Sequence, residues 1–503
     1  MSRRITIVAA AAAALLIPAV VLPGAATATV PAGRASAPSP FPPTDKAVAR
    51  YDLTTKDLRQ IDKANDWSER KKAVNARACR SGTNFGLVTE IGTGGYQITD
   101  ARWAGFGGRQ FSARASQAPR FAQKLVAWRM FKKTDWSHLS CPTADWMAVT
   151  HQKARGTRLK NMLIPGTHDS GAYGIKDTGR CAPQVVAGAG AVFEAAAEQN
   201  PCGAAALAKA QDQNLGQQLR GGVRYLDLRV GVPADKIITK PKPAAKNPMS
   251  VPLVLQHNYV SVSLKKGLRQ ILRFAAGHPA EQIILDFQHV DLVSDAAIND
   301  YYYEATRGVL KQYQPSAAVG TVCDSAWTRK TVGANARGVG DVRIKTAWRA
   351  DRNLVVLMDP AMPTDSCYYD RDKAISSPWP NTDVPATSKQ ANDKYLAERQ
   401  KRLDGTCTDA DGINWCGLFV NQVQLTPSPG VYANCVFNRV GENCSLEALA
   451  ALVNDDVAGY MRSWTTNGEP TNIEIVDYYE QASPSIVDRL IRLNWSRTGQ
   501  SRQ

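Results

Sequence analysis

The sequence predicts an α/β fold: a TIM-type (β/α) barrel, with irregularity allowed, preceded by an N-terminal accessory region. Two observations predict it. From Trp146 onward, short apolar runs alternate with helical stretches, which is the pattern of a parallel sheet buried on both faces. Polar residues able to do chemistry follow several of those runs, where a barrel enzyme builds its site. A chain of 503 residues is long enough to bury such a barrel and carry additions. It shows no repeat of 20–50 residues.

The chain begins with Arg3-Arg4, an apolar Ala-rich run over 5–22 and the small residues Ala26-Thr27-Ala28. That is a secretory signal over 1–28, and the mature protein is expected to be soluble and extracellular. No other run is long enough to span a bilayer. Residues 29–44, rich in Pro, Ala and Ser, read as a linker. Residues 45–144 form an accessory region of unassigned fold. Leu53, Leu58 and Ile61 have helical spacing, 85–111 reads as short strands and turns, and 121–131 as a helix. Trp103, Trp128 and Trp136 are expected in its core. The barrel is placed at 145–497.

Ten cysteines fit the exported compartment. None forms a Cys-x-x-Cys or sits at zinc spacing from a His, so disulfides are expected. Pairing of neighbours (79–141, 181–202, 323–367, 407–416, 435–444) is a default, because sequence does not fix connectivity.

Strands are predicted at 162–164, 225–230, 253–256, 282–287, 353–358, 418–423 and 472–476. The first ends at Pro165-Gly166, read as a sharp turn, and Thr167, His168, Asp169 and Ser170 follow. A His beside a carboxylate titrates near neutral pH; a cap for the next helix is the other reading of this turn. Asp227 and Arg229 lie in the second strand, His257 ends the third, Gln288-His289 the fourth and Asp477 the last. Two insertions interrupt the alternation. Residues 182–215, Ala- and Gly-rich, are either a lid or a surface helix pair; 236–252 is a Pro- and Lys-rich loop. His278 and His289 read as peripheral, and His138 and His151 carry no signal.

Residues 163–171 (Leu-Ile-Pro-Gly-Thr-His-Asp-Ser-Gly), 223–229 (Val-Arg-Tyr-Leu-Asp-Leu-Arg), 255–257 and 281–287 (Glu-Gln-Ile-Ile-Leu-Asp-Phe) resemble, in order, the X-region of phosphatidylinositol-specific phospholipase C. Secreted bacterial members resemble them best. The resemblance covers about 146–286, with the last strand added. It implies cleavage of a phosphatidylinositol-type lipid to diacylglycerol and a cyclic inositol phosphate. Such a reaction needs a base, an acid and a cation on the phosphoryl oxygens. By resemblance His168 is the base, oriented by Asp477, and His257 the acid, with Asp169 pairing to it and raising its pKa. Arg229 grips the phosphate, and Asp227 and Gln288 fall to the substrate.

In calcium-dependent relatives the second strand carries two acids that bind the ion. The second acid is replaced here by Arg229, so no metal or other cofactor is expected. The headgroup positions depart from the family: Gln288-His289 stands where a headgroup-contacting lysine is found. Three readings follow. They are a secreted phosphoinositide phospholipase C, a related barrel phosphodiesterase of glycerophosphodiester or sphingomyelinase-D type, and a non-catalytic barrel that binds anionic lipid. The second lacks its Glu-x-Asp pair. The formal charge of +16 suits an anionic partner. The expected partner is a phospholipid surface met transiently by a monomer, and no basic stretch interleaved with aromatics suggests nucleic acid.

Overall fold

The computed structural model describes residues 45–68, 100–134, 146–147, 156–240, 246–289, 293–359, 367–438 and 443–481, with Tyr96, Ile98, Lys242 and positions 486–487, 489–491 and 493–494. The signal, the linker, Trp136, His138, His151 and the cysteines at 79 and 141 lie outside them.

Eight strands form one parallel sheet: β1 (Ile164–Thr167), β2 (Tyr225–Gly231), β5 (Ile283–His289), β6 (Leu354–Met358), β7 (Tyr369–Asp370), β8 (Ile375–Ser376), β9 (Leu418–Gln422) and β10 (Ile473–Val476). Their order is β7-β6-β5-β2-β1-β10-β9-β8, and every adjacent pair is parallel. The two edge strands are consecutive in the chain. Only the helix Arg371–Ala374 joins them, and four helical residues span about 6 Å. The sheet therefore curls to bring its two edges near each other, with no described ladder between β7 and β8. This is the barrel the sequence predicts, in an irregular form.

Two local expectations are corrected. The first strand does not stop at Pro165-Gly166; it runs through both. The carbonyl of Pro165 accepts from Arg224 N–H at 2.8 Å, so the missing proline N–H does not break the pairing used here. Gly166 is needed for space rather than for a turn. A Cβ there would lie 2.7 Å from Ile475 Cγ2 and 2.9 Å from Tyr225 Cδ1. The chain turns instead at Asp169, with φ +39°.

The second correction concerns β3 (Val254–His257). It is not a parallel barrel strand but runs antiparallel to the end of β2, Val230 opposite Leu255. It returns at once as β4 (Tyr259–Ser263) through Asn258, with φ +61°. A parallel return would need a crossover helix. Among the described residues between β2 and β3 there are two three-residue helical turns, Ala234–Lys236 and Pro248–Ser250.

One buried cluster runs from Trp146 to Ile491 and includes the barrel. Below the site Arg224 and Glu281, both fully buried, pair at 2.7 Å. A second cluster runs from Leu53 to Met130. There the helices Thr55–Ser68 and Arg120–Thr134 enclose Trp103. Where 85–111 is described beyond Ile98, it is helical, Asp100–Gly105 and Gly108–Gln110, rather than stranded. Residues at 181–202, 323–367, 407–416 and 435–444 form disulfides.

Candidate active site

The C-terminal ends of β1, β2 and β10 and the β3–β4 turn converge. Thr167 bonds outward to Gln218 at 2.7 Å, so strand alternation turns His168 inward. His168 Nδ1 lies 2.8 Å from Asp477 Oδ1. That carboxylate accepts the Nδ1 proton and leaves Nε2 facing the site, where Arg229 Nη2 approaches to 2.9 Å. His257 sits across from His168, ring centres 5.3 Å apart. Its Nδ1 faces the Ala208 carbonyl at 2.8 Å and its Nε2 lies 3.5 Å from Asp169 Oδ2.

Arg229 occupies the middle. Its Nε is 3.2 Å from Asp169 Oδ2 and its Nη2 3.3 Å from Asp227 Oδ2. Asp227 Oδ2 also accepts the backbone N–H of Asp169 at 3.0 Å, which braces the turn at its positive φ. Asp227 is fully buried and does not line the pocket. The expectation that it touches substrate is corrected: it holds Arg229 and the His168–Asp169 turn in place.

Burial opposes every charge here, and the pairings decide the outcome. For His168, burial and Arg229 push down, but Asp477 outweighs them and the ring sits above the ordinary histidine value. For His257, burial and the charges of Arg229 and His168 push it well below. Burial lifts Asp169 to about 7 against the pull of Arg229, and no described hydrogen bond reaches either of its oxygens. Asp227 suffers the same burial, but Arg229 and the Asp169 N–H hold it below the usual carboxylate value. The resemblance implies that Asp169 raises His257; the net balance at the ring lies on the lowering side, led by burial and the charge of Arg229. One guanidinium serves two buried acids and also faces the ring. The proton that would serve an acid rests with the Asp169–His257 pair.

His168, Asp169 and His257 offer donor atoms within 4.8 Å of one another. They do not fit a divalent cation, because the Arg229 guanidinium touches both His168 and Asp169 and repels one.

The site opens into a pocket of about 450 Å³. Its lining combines apolar groups, Phe193, Leu207, Leu425 and Tyr432 among them, with Gln288, Arg371, Ser377 and Gln422. Gln288 donates to Tyr225 Oη at 3.3 Å. Arg371 was missed in the sequence. Its Nε donates to Asp286 Oδ1 at 2.9 Å, and Tyr225 Oη donates to Asp286 Oδ2 at 2.5 Å. Its only signal is a two-residue strand before it, too short to detect. The insertion after β1 contains two helices, Ala191–Gln199 and Pro201–Ala206, and supplies Phe193, Leu207 and the Ala208 carbonyl to the site.

Comparison with known proteins finds relatives over the barrel. PI-PLC X domain-containing protein 3 of Bos taurus and of Homo sapiens is 24% identical over 355 residues, covering 70% of this chain and 94% of the relative. The variant-surface-glycoprotein phospholipase C of Trypanosoma cruzi is 29% identical over 170 residues, 32% of this chain and 40% of that protein. The structure of a phosphatidylinositol-specific phospholipase C from Listeria monocytogenes aligns with a TM-score of 0.42 and 16% identity, over 70% of this chain and 98% of that one. Residues 69–141 match a transglycosylase-like domain. No helix among the described residues is long and apolar enough to cross a membrane.

Proposed function

We propose that this chain, a homologue of the PI-PLC X-domain proteins, is an exported phosphodiesterase. It cleaves phosphatidylinositol-type lipids to diacylglycerol and a cyclic inositol phosphate without a divalent cation. The observation that carries the reading is the set Asp477–His168–Arg229–Asp169–His257 gathered at one mouth of the barrel. A headgroup hydroxyl attacks phosphorus and gives its proton to His168 Nε2. The bond to the glycerol oxygen breaks, and that oxygen takes a proton from His257 Nε2, resupplied by Asp169. Arg229 meets the non-bridging oxygens as a fork of fixed charge. A phosphate anion on Arg229 offsets the charge that depresses His257, so substrate itself moves the proton to where it is used.

The mixed lining suits such a lipid: amide, hydroxyl and guanidinium groups can meet a polyol, and the apolar side chains can meet the glyceride. The four disulfides and the sequence of 1–28 support export. Residues 145–497 form the catalytic unit in this reading, and 45–144 an accessory one.

The match at 69–141 favours a second role beside the first: contact with a glycan polymer. Glycosyl transfer draws on carboxyl groups, and this stretch has Glu69, Glu90, Asp100 and Asp135. Of these Asp100 is exposed and paired to Arg114 at 3.4 Å. Co-sedimentation of the protein with insoluble peptidoglycan tests that role; a protein left in the supernatant refutes it.

Phosphorus NMR of the protein lacking 1–28, with phosphatidylinositol micelles and excess chelator, tests the main reading. A cyclic phosphate signal that disappears in His168→Ala is expected. No turnover by folded, oxidised protein overturns it.

A further inference from the structure

The insertion between β1 and β2 ends in residues 207–213, just before the helix Leu215–Arg220. Nearly every residue there bonds to an element of the site. The Ala208 carbonyl accepts from His257 Nδ1 at 2.8 Å. Tyr478, the residue after Asp477, donates Oη to the Lys209 carbonyl at 2.7 Å and its N–H to the Ala210 carbonyl at 3.0 Å. Gln211, fully buried, donates Nε2 to the carbonyls of His168 at 3.0 Å and Val476 at 2.9 Å. Gln213 Oε1 accepts from Tyr479 Oη at 2.8 Å. The segment is tied from behind. The disulfide 181–202 closes the loop before it, and Lys209 Nζ pairs with Asp177 at 3.1 Å.

A neutral imidazole has two tautomers, and the partner of one nitrogen decides which is present. A backbone carbonyl only accepts, so Ala208 keeps the hydrogen on Nδ1 and leaves Nε2 to titrate toward Asp169. On the other side, Tyr478 is a bulky residue at φ +45°. Such a conformation persists only where its surroundings over-determine it, and here two bonds from Tyr478 to the segment do so. One stretch of chain therefore fixes the ring of one histidine and the backbone that carries the other and its aspartate.

We propose that residues 207–213 are a positioning strap. It selects the His257 tautomer and locks the ends of β1 and β10 relative to it, so that the two histidines work at one spacing. The role rests on the phosphodiester chemistry above, but its structural half does not depend on turnover.

Gln211→Met and Tyr478→Phe in the full chain test it, read by nitrogen-15 NMR of the histidine rings and by kcat and KM across pH. In the unaltered protein neutral His257 should carry its hydrogen on Nδ1. In Gln211→Met, a fraction should carry it on Nε2. There kcat should fall roughly 10–100-fold, as small misplacements do, with KM within about twofold. Tyr478→Phe removes one hydroxyl from a retained ring, and should show the same effects in smaller degree. It carries the test alone if Gln211→Met does not fold. Folded variants with unchanged tautomers and kcat within twofold overturn the strap. If the unaltered protein cleaves no lipid, the proposed function fails, and the tautomer populations alone decide the strap.

Discussion

Arg229→Lys separates the charge of the central cation from its shape. The guanidinium reaches three partners at once, with Nε 3.2 Å from Asp169 and Nη2 3.3 Å from Asp227 and 2.9 Å from His168 Nε2. A lysine ammonium is one point charge and cannot span them. It still neutralises one buried acid, so the fold should survive. What is lost is the fork on the phosphoryl oxygens. Removing one such preorganised donor costs about 2.7–4 kcal/mol of transition-state binding, so kcat should fall roughly 10²–10³-fold. Arg229→Met removes the charge too. It leaves the charged Asp227, fully buried, without its counter-ion, at a stability cost of about 3–5 kcal/mol. Steady-state cleavage of phosphatidylinositol micelles and equilibrium unfolding in denaturant measure the two effects. A lysine variant within about threefold of the unaltered protein would refute the fork. A methionine variant of unchanged stability would refute the account of the paired acids.

Three further outcomes are expected. Asp477→Asn removes the carboxylate that holds His168 above its ordinary value; because the base must be unprotonated, the acid-side limb of kcat/KM should move to lower pH while kcat falls, and an unmoved limb would count against the pairing. Glu480 is buried with no side-chain partner among the described residues, and burial lifts it to about 8 against the pull of its own backbone N–H. The unfolded chain ionises this group from about 4.5 and the folded one only near 8, so stability should decline between those values, by as much as about 4 kcal/mol. Glu480→Gln should flatten that stretch of the stability–pH curve, and a slope unchanged by the substitution would refute it. Gly166→Ala forces a methyl against Ile475 and Tyr225 and should cost about 1–3 kcal/mol in denaturant unfolding; a loss under about 0.5 kcal/mol would show that β1 can shift.

Much of the barrel was legible because a buried parallel strand must be apolar on both faces. β5 and β6 appear as short runs rich in Leu, Ile and Val, and β2, β9 and β10 as short apolar stretches broken by a polar residue or two, all within a residue or two of the observed bounds. The candidate site was legible for a related reason. His168, Arg229 and Asp477 stand at or just beyond strand ends, so sequence neighbourhood already fixes their place in space. Where that link weakens, the reading slips. β3 has the same apolar look, but nothing in its residues says whether its partner runs parallel or antiparallel. β7 and β8 are two residues each, below the length at which any period shows, and Arg371 is lost with them.

The electrostatics of the site were less legible than its membership, because they depend on counting charges that meet only in space. The sequence places Asp169 beside His168 and suggests a carboxylate that serves His257. It does not show that Arg229 lies within 3.3 Å of both Asp169 and Asp227. One positive charge cannot satisfy two buried carboxylates. Asp227, with its hydrogen bonds, is held below the usual carboxylate value, and Asp169, without them, is lifted to about 7. Asp169 is therefore the easier of the two to protonate near neutral pH. In the proposed mechanism an anion arriving at Arg229 offsets the charge that depresses His257, so the group that meets the phosphate would also ready the acid. The 207–213 segment is hidden for a different reason. It meets His257 through the Ala208 carbonyl and Tyr478 through the carbonyls of Lys209 and Ala210, and any residue could supply those; Gln211, which donates to the His168 carbonyl, acts through its side chain. Ala208 can have no side-chain signature, although removing its carbonyl would free the His257 ring.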